Sequence, residues 1–230
     1  FVNAYRISSL VPGSLALILA DLIPWPQVHC IVASFMLIGI CTTLLMEEPD
    51  TGGSTPSSFN AAVVEPFREF FQRDGARAAW LILAFMLLYK LGDSMATALV
   101  TPFYLDLGFT KTQIGTVAKV AALWASVAGA TIGGIAMIKL GINRSLWIFG
   151  VVQLVTILGF AALAEIGADT SALFVVVSAE YLGVGLGTAA FVAFIAKVTD
   201  TRYTATQFAL LTSLMGVPRT FANASAGFLV

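Results

Sequence analysis

Charge is scarce in this chain. Asp, Glu, Lys and Arg make up 11% of its 230 residues, against about 25% in a soluble domain. There is one histidine, His29, and there are two cysteines, Cys30 and Cys41. A lone histidine cannot supply a metal-ligand cluster, so neither a metal nor a cofactor is expected. The two cysteines fall on one predicted helix, about 16 Å apart along its axis. That is too far to bridge, and both read as apolar filler. No nucleophile–base pair is visible, since His29 and its neighbour Cys30 point different ways on a helix, so the chain is not expected to be an enzyme. A membrane acyltransferase, the natural rival from another class, needs such a constellation at an interface. The net charge of −1 gives nucleic acid nothing to bind. An initiator methionine and a signal peptide are missing too, and the chain runs on apolar to Val230. The expectation is a piece of a larger bundle.

Apolar surface, by contrast, is plentiful: 58% of residues are hydrophobic and the mean hydropathy is +0.91. No soluble fold hides that much, so lipid must be the solvent. Seven stretches reach the ~20 residues that a bilayer crossing needs: 3–23, 28–46, 78–103, 112–138, 145–166, 171–198 and 205–230. The expected fold class is an all-α membrane protein. Basic residues gather in every second loop. The 47–77 loop has Arg68, Arg73 and Arg77, the 139–144 loop has Lys139 and Arg144, and the 199–204 loop has Arg202, with Lys197 just ahead. The positive-inside rule puts these loops in the cytoplasm. The 47–77 loop opens on a turn-rich run. Residues 58–73 then turn amphipathic, with Val63, Val64, Phe67, Phe70 and Phe71 among Glu65, Arg68 and Glu69. That pattern predicts a short helix at the cytoplasmic interface. The expected organisation is the end of one bundle at 1–46, a cytoplasmic linker at 47–77 and an incomplete second bundle at 78–230.

Five ionisable residues fall inside the predicted spans: Lys90, Asp93, Lys119, Glu180 and Arg219. Each costs about 2.5–3.5 kcal/mol at the centre of a bilayer, so five unpaired ones would cost roughly 15 kcal/mol. They are tolerable only if they pair, face water or act on a solute. Counted from the outer span ends, all five lie seven to twelve residues in. They are expected to form one layer about 10–18 Å below the outer surface. Lys90, Lys119 and Arg219 are candidates for holding an anionic solute, with Tyr89, Tyr181 and Gln207 adding hydrogen bonds. Asp93 and Glu180, the intramembrane carboxylates, are candidates for taking a proton or for pairing with the cations. The plainer alternative is a set of ion pairs that only fixes helix packing. Gly129 and Gly133, and again Gly183 and Gly187, form GxxxG pairs suited to close helix contact. The second resembles a phosphate loop superficially, but it lies in mid-span with no soluble strand before it.

One loop carries a family signature. Gly133 and Gly134, Lys139, Gly141 and Arg144 follow the order of a cytoplasmic loop motif that resembles the major facilitator superfamily, although the family's usual Asp is absent. Further runs resemble the AmpG-type muropeptide permeases within it: Tyr89-Lys90-Leu91-Gly92-Asp93 and Ala205-Thr206-Gln207-Phe208-Ala209-Leu210-Leu211 are the specific ones. Pro218 departs from the expected pattern. The resemblance implies a helix bundle in which the seven spans match helices five to eleven. It implies a proton-coupled symporter of the bacterial inner membrane that imports N-acetylglucosaminyl-anhydromuramyl peptides for peptidoglycan recycling and, in some hosts, bears on β-lactamase induction. The implied partners are the muropeptide, protons and the lipid bilayer, and the expected working unit is a monomer. Another carrier of an anionic solute, such as acetyl-coenzyme A, fits the charge count equally well.

Overall fold

The computed structural model describes residues 19, 23–47, 58–110 and 113–229. The regular elements among them are all helical. The chain divides into two compact units, Phe1–Gly53 and Ser54–Val230. The first contains α1 (Trp25–Leu45), which starts after Pro24 and carries a second proline in its first turn. A missing N–H is harmless there, because the first turn has no carbonyl to receive it. Of the expected 3–23 span, only residues 19 and 23 are among those described.

The second unit holds α2 (Phe59–Arg73), α3 (Ala76–Asp106), α4 (Lys119–Leu140), α5 (Ile142–Ile157), α6 (Gly159–Ile166), α7 (Thr170–Val198), α8 (Thr204–Leu214) and α9 (Gly216–Leu229). Among the described residues, five segments are long and apolar enough to cross a bilayer: α1, α3, Val120–Leu140, Ile142–Ile166 and α7. The expected span at 205–230 is interrupted. Its two helices meet at Met215, whose N–H turns back to the carbonyl of Thr212 at 3.1 Å. Pro218 explains the break. It has no N–H for the carbonyl of Leu214, and its ring crowds that carbonyl.

The tightest packing joins α4 to α7. A Cβ at Gly129 would collide with the carbonyl oxygen of Leu182, and one at Gly133 would lie 3.2 Å from the Cα of Leu186. From the other side, Gly185 has no room for a Cβ against the Ser126 carbonyl. Glycine is needed here because two backbones touch. The second expected pair serves a different neighbour. Gly183 and Gly187 face α5, where Gln153 and Thr156 sit against them. Helix α7 therefore carries two stripes of small residues on opposite sides. One large cluster, built on Met86, Phe149, Phe191 and Ile195, fills the space between α3, α5 and α7.

The two ends of this unit differ in charge. Lys197 Nζ donates to Asn143 Oδ1 at 3.3 Å, and Arg73 Nη1 donates to the Val198 carbonyl at 2.9 Å. These bonds bring the ends of α2 and α7 and the start of α5 together, with Lys139, Arg144 and Arg202 nearby in sequence. The opposite end carries Asp106, Glu165 and Asp169 and is tied by Gln113 Nε2 donating to Thr170 Oγ1 at 3.1 Å.

At the basic end α2 is clasped by the α7–α8 loop. Pro66 sits inside α2 and leaves the Ala62 carbonyl without its helical donor. The hydroxyl of Thr206 takes that place, at 3.3 Å. Gln207 is 3% exposed. Its Nε2 donates to the Pro66 carbonyl (2.9 Å) and to Glu69 Oε2 (2.7 Å), while its Oε1 accepts from the Asp200 N–H (2.8 Å) and from Arg73 Nη2 (3.3 Å). Arg73 grips Glu69 through two bonds of 2.6 Å and lies 3.6 Å from Asp200. The Arg73 bond holds the Glu69 carboxyl below its ordinary range. Asp200 is pulled to about 2, first by the Arg202 side chain and then by the Arg202 N–H.

Two outcomes follow. Gly129→Val or Gly185→Val should destabilise the bundle by about 1–3 kcal/mol or more, the usual range for overpacking. Gly134→Ala, which meets nothing within 4 Å, should not. Thermal unfolding of the detergent-solubilised protein separates them. For the clasp, lowered carboxylates stabilise above their unfolded values near 4 and lose that effect as pH falls through the lower folded ones. Amide-exchange protection of α2 should hold from pH 8 to 5 and fade below about 4.

Candidate functional site

Lys90 and Asp93 are one turn apart on α3 and so share a face. Lys90 Nζ donates to Asp93 Oδ2 at 2.7 Å, and the two side chains are only 11% and 12% exposed. A second bond, at 3.4 Å, runs from Lys90 Nζ to Thr188 Oγ1 on α7. Thr188 lies seven residues from Tyr181, two turns along one face of α7. Thr188 is the residue of this face that meets the ion pair, while Tyr181 packs with Tyr104, Leu173 and Val177.

Glu180 is 3% exposed and accepts a bond from Thr156 Oγ1 of α5 at 2.8 Å. It shares the α5-facing side of α7 with Gly183 and Gly187. Helix α5 brings polar groups of its own to this contact. Its Gln153 and Thr156, three residues apart, turn a polar strip toward α7. The Nε2 of Gln153 is buried without a hydrogen-bond partner.

The expected single layer resolves into a ladder. The contacts of Gly129 with Leu182 and of Gly133 with Leu186 show α4 and α7 running parallel in constant register. That register sets Lys119 beside Ala172, about 12 Å from Glu180 toward the acidic end. Thr188 lies about 12 Å from Glu180 the other way. Counting from span ends missed this because the helix ends do not lie in one plane. The side chain of Lys119 is outside the described residues. Arg219 is exposed on α9, which packs against α3.

Two expected solute ligands go elsewhere. Gln207 sits in the clasp at the basic end with both amide atoms engaged, and has nothing left to offer a solute. Tyr89 is next to Lys90 in sequence but points about 100° away around the helix. Its ring stacks on Phe191 with centroids 5.3 Å apart, and it lines an apolar groove with Phe85, Leu146 and Gly150. Its hydroxyl reaches the Leu146 carbonyl at 3.5 Å. Thr188 and Thr156 were not anticipated. The available signal was a hydroxyl on the same helical face as a neighbouring polar group, Gln153 for one and Tyr181 for the other.

Comparison with known proteins adds the lineage. The profile of the Major Facilitator Superfamily matches residues 3–223. An uncharacterized protein of Haemophilus influenzae is 49% identical over all of this chain and 56% of its own length. An anhydromuropeptide permease of Escherichia coli K12 is 38% identical over all of this chain and 46% of its own length. A putative transporter, AmpG 4, of Rickettsia conorii is 31% identical over all of this chain and 56% of its own length. The chain spans about half the length of the curated relatives it matches. An all-helical, multi-pass membrane fold matched from its third residue to its 223rd places this chain in the major facilitator superfamily, among relatives of the AmpG type.

Proposed function

We propose that the chain forms part of a proton-coupled symporter that imports N-acetylglucosaminyl-anhydromuramyl peptides across the bacterial inner membrane for peptidoglycan recycling, and that the complete protein works as a monomer. The observation that carries the cargo is the end-to-end similarity to the anhydromuropeptide permease of E. coli. The organisation we propose is two bundles, ending and beginning at 1–46 and 78–230, joined through the 47–77 linker on the cytoplasmic side. The basic end of the second unit supports that orientation. In hosts with an inducible β-lactamase, the imported fragments would feed its induction.

Lys90 is the cation best supported for the carboxylates of the cargo peptide. It is nearly buried, and Asp93 and Thr188 hold it in place. Tyr181 and Thr188 offer hydroxyls on the same side. Arg219 and Lys119 are further anion contacts in this reading. Asp93 and Glu180 are the groups for the coupled proton. Discharging and recharging Asp93 would release and recapture Lys90, which ties proton and cargo to one bond. Uptake of labelled anhydromuropeptides by cells whose only such carrier is the full-length protein tests the cargo. Uptake of acetyl-coenzyme A instead would overturn it.

Lys90→Met should lower cargo uptake at least tenfold while the protein still reaches the membrane, as quantified by immunoblot. Lys119→Ala and Arg219→Ala should weaken cargo binding. Full transport by both returns the ionisable groups to a packing role. Asp93→Asn leaves Lys90 buried and unpaired, at a cost of roughly 3–5 kcal/mol. Adding Lys90→Met should restore thermal stability. If Asp93 carries the proton, Asp93→Asn with Lys90 intact exchanges cargo downhill but does not concentrate it under an imposed pH gradient. Full uphill uptake by Asp93→Asn alone removes Asp93 from both roles.

A further inference from the structure

Helix α2 has two faces. Residues 62, 66, 69 and 73 repeat at helical spacing, and this face is held against the protein, with Pro66 buried and Phe70 beside it packed on the core. Thr206 bonds to the Ala62 carbonyl, Gln207 to Pro66 and Glu69, and the Val198 carbonyl and Asp200 to Arg73. The opposite face carries Val64, Phe67 and Phe71, again at helical spacing. Val64 is 50% exposed and Phe67 45%.

The exposed strip does not stop at α2. Phe71 meets Trp80 of α3 edge to face, with ring centroids 5.5 Å apart. Trp80 begins the outward surface of α3, which continues through the exposed Leu81 and Leu88. Helix α3 is long and apolar enough to cross the bilayer, and Trp80, Leu81 and Leu88 are large apolar side chains exposed on it. The strip on α2 continues that surface around the corner, at the basic end. Arg68, beside Phe67, and Arg77, at the start of α3, are both exposed; of the exposed carboxylates nearby, Glu65 takes the Tyr203 hydroxyl at 3.5 Å and Asp74 caps the end of α2. Apolar side chains rimmed by exposed arginines match an anionic phospholipid leaflet, with acyl chains meeting the aromatics and headgroups meeting the guanidinium groups.

We propose that the Val64–Phe67–Phe71 face of α2 is a binding surface for the anionic leaflet of the membrane. The clasp to Gln207 and Asp200 sets the rotation of the helix so that this face meets the lipid. The inference does not rest on which cargo is carried.

Site-directed spin labelling of the full-length protein tests it. In a background with Cys30→Ala and Cys41→Ala, together with replacement of any cysteine outside this chain, nitroxides are placed in turn at Val64→Cys, Phe67→Cys and Gln72→Cys. The protein is reconstituted into vesicles of phosphatidylethanolamine with phosphatidylglycerol, or into phosphatidylcholine alone. Labels at 64 and 67 should be open to oxygen and shielded from a water-soluble nickel complex in the anionic vesicles, with the reverse at 72. Exchange to phosphatidylcholine, or Arg68→Gln with Arg77→Gln in anionic vesicles, should shift the label at 67 toward the nickel complex several-fold. A label at 67 that is immobile and closed to both reagents would mean that this face packs on protein, either another part of the full-length chain or a second copy, and would overturn the proposal. Free access of nickel in both lipids would overturn it as well. Equal depth in both lipids, unchanged by the arginine substitutions, would reject the anionic requirement.

Discussion

Lipid offers an apolar side chain no reward for leaving it, so helices in a bilayer must be joined by close contact and by polar bonds. In this chain the contact that governs the rest is the touching of α4 and α7 at Gly129, Gly133 and Gly185. It sets the height and rotation of α7. That rotation turns Thr188 toward Lys90, Glu180 toward Thr156, and Gly183 and Gly187 toward Gln153. Shift α7 by one residue and all three polar relations are lost. The buried charges are thus placed by a seam that contains no charge.

The basic end works on the opposite principle. There the bonds are polar and numerous, and they meet at a buried glutamine rather than at glycine. Gln207 can serve because an amide both donates and accepts. It satisfies a carbonyl and a carboxylate with one atom, and an N–H and a guanidinium with the other. Pro66 contributes by what it lacks, since the carbonyl it frees becomes the point where Thr206 attaches.

Much of this was legible in the residues and some was not. The membrane class followed from composition, and the spans at 28–46, 78–103, 112–138, 145–166 and 171–198 match described helices because their apolar runs are unbroken. The i,i+3 pairing of Lys90 with Asp93 could be read from spacing alone, since both groups lie on one helix. What could not be read depends on two helices at once. Depth was misjudged because Lys119, Glu180 and Lys90 belong to helices whose relative height comes from backbone contact. Gln207 was assigned to the solute because nothing in its own neighbourhood reveals that Glu69 and Pro66, about 140 residues earlier, would use both ends of its amide. Tyr89 was misplaced through adjacency to Lys90, although neighbours on a helix face different ways.

The joint at Met215 has a further consequence. Alone, α8 and α9 are about 16 and 21 Å long, each short of the ~30 Å hydrocarbon layer. Only end to end do they cross it, so the joint falls at membrane depth. A backbone oxygen that Pro218 cannot serve is a small, fixed negative pole. Hydrocarbon does not accept such a pole bare. The kink must therefore look onto protein or onto water, and this gives the broken span a definite inside and outside at its joint.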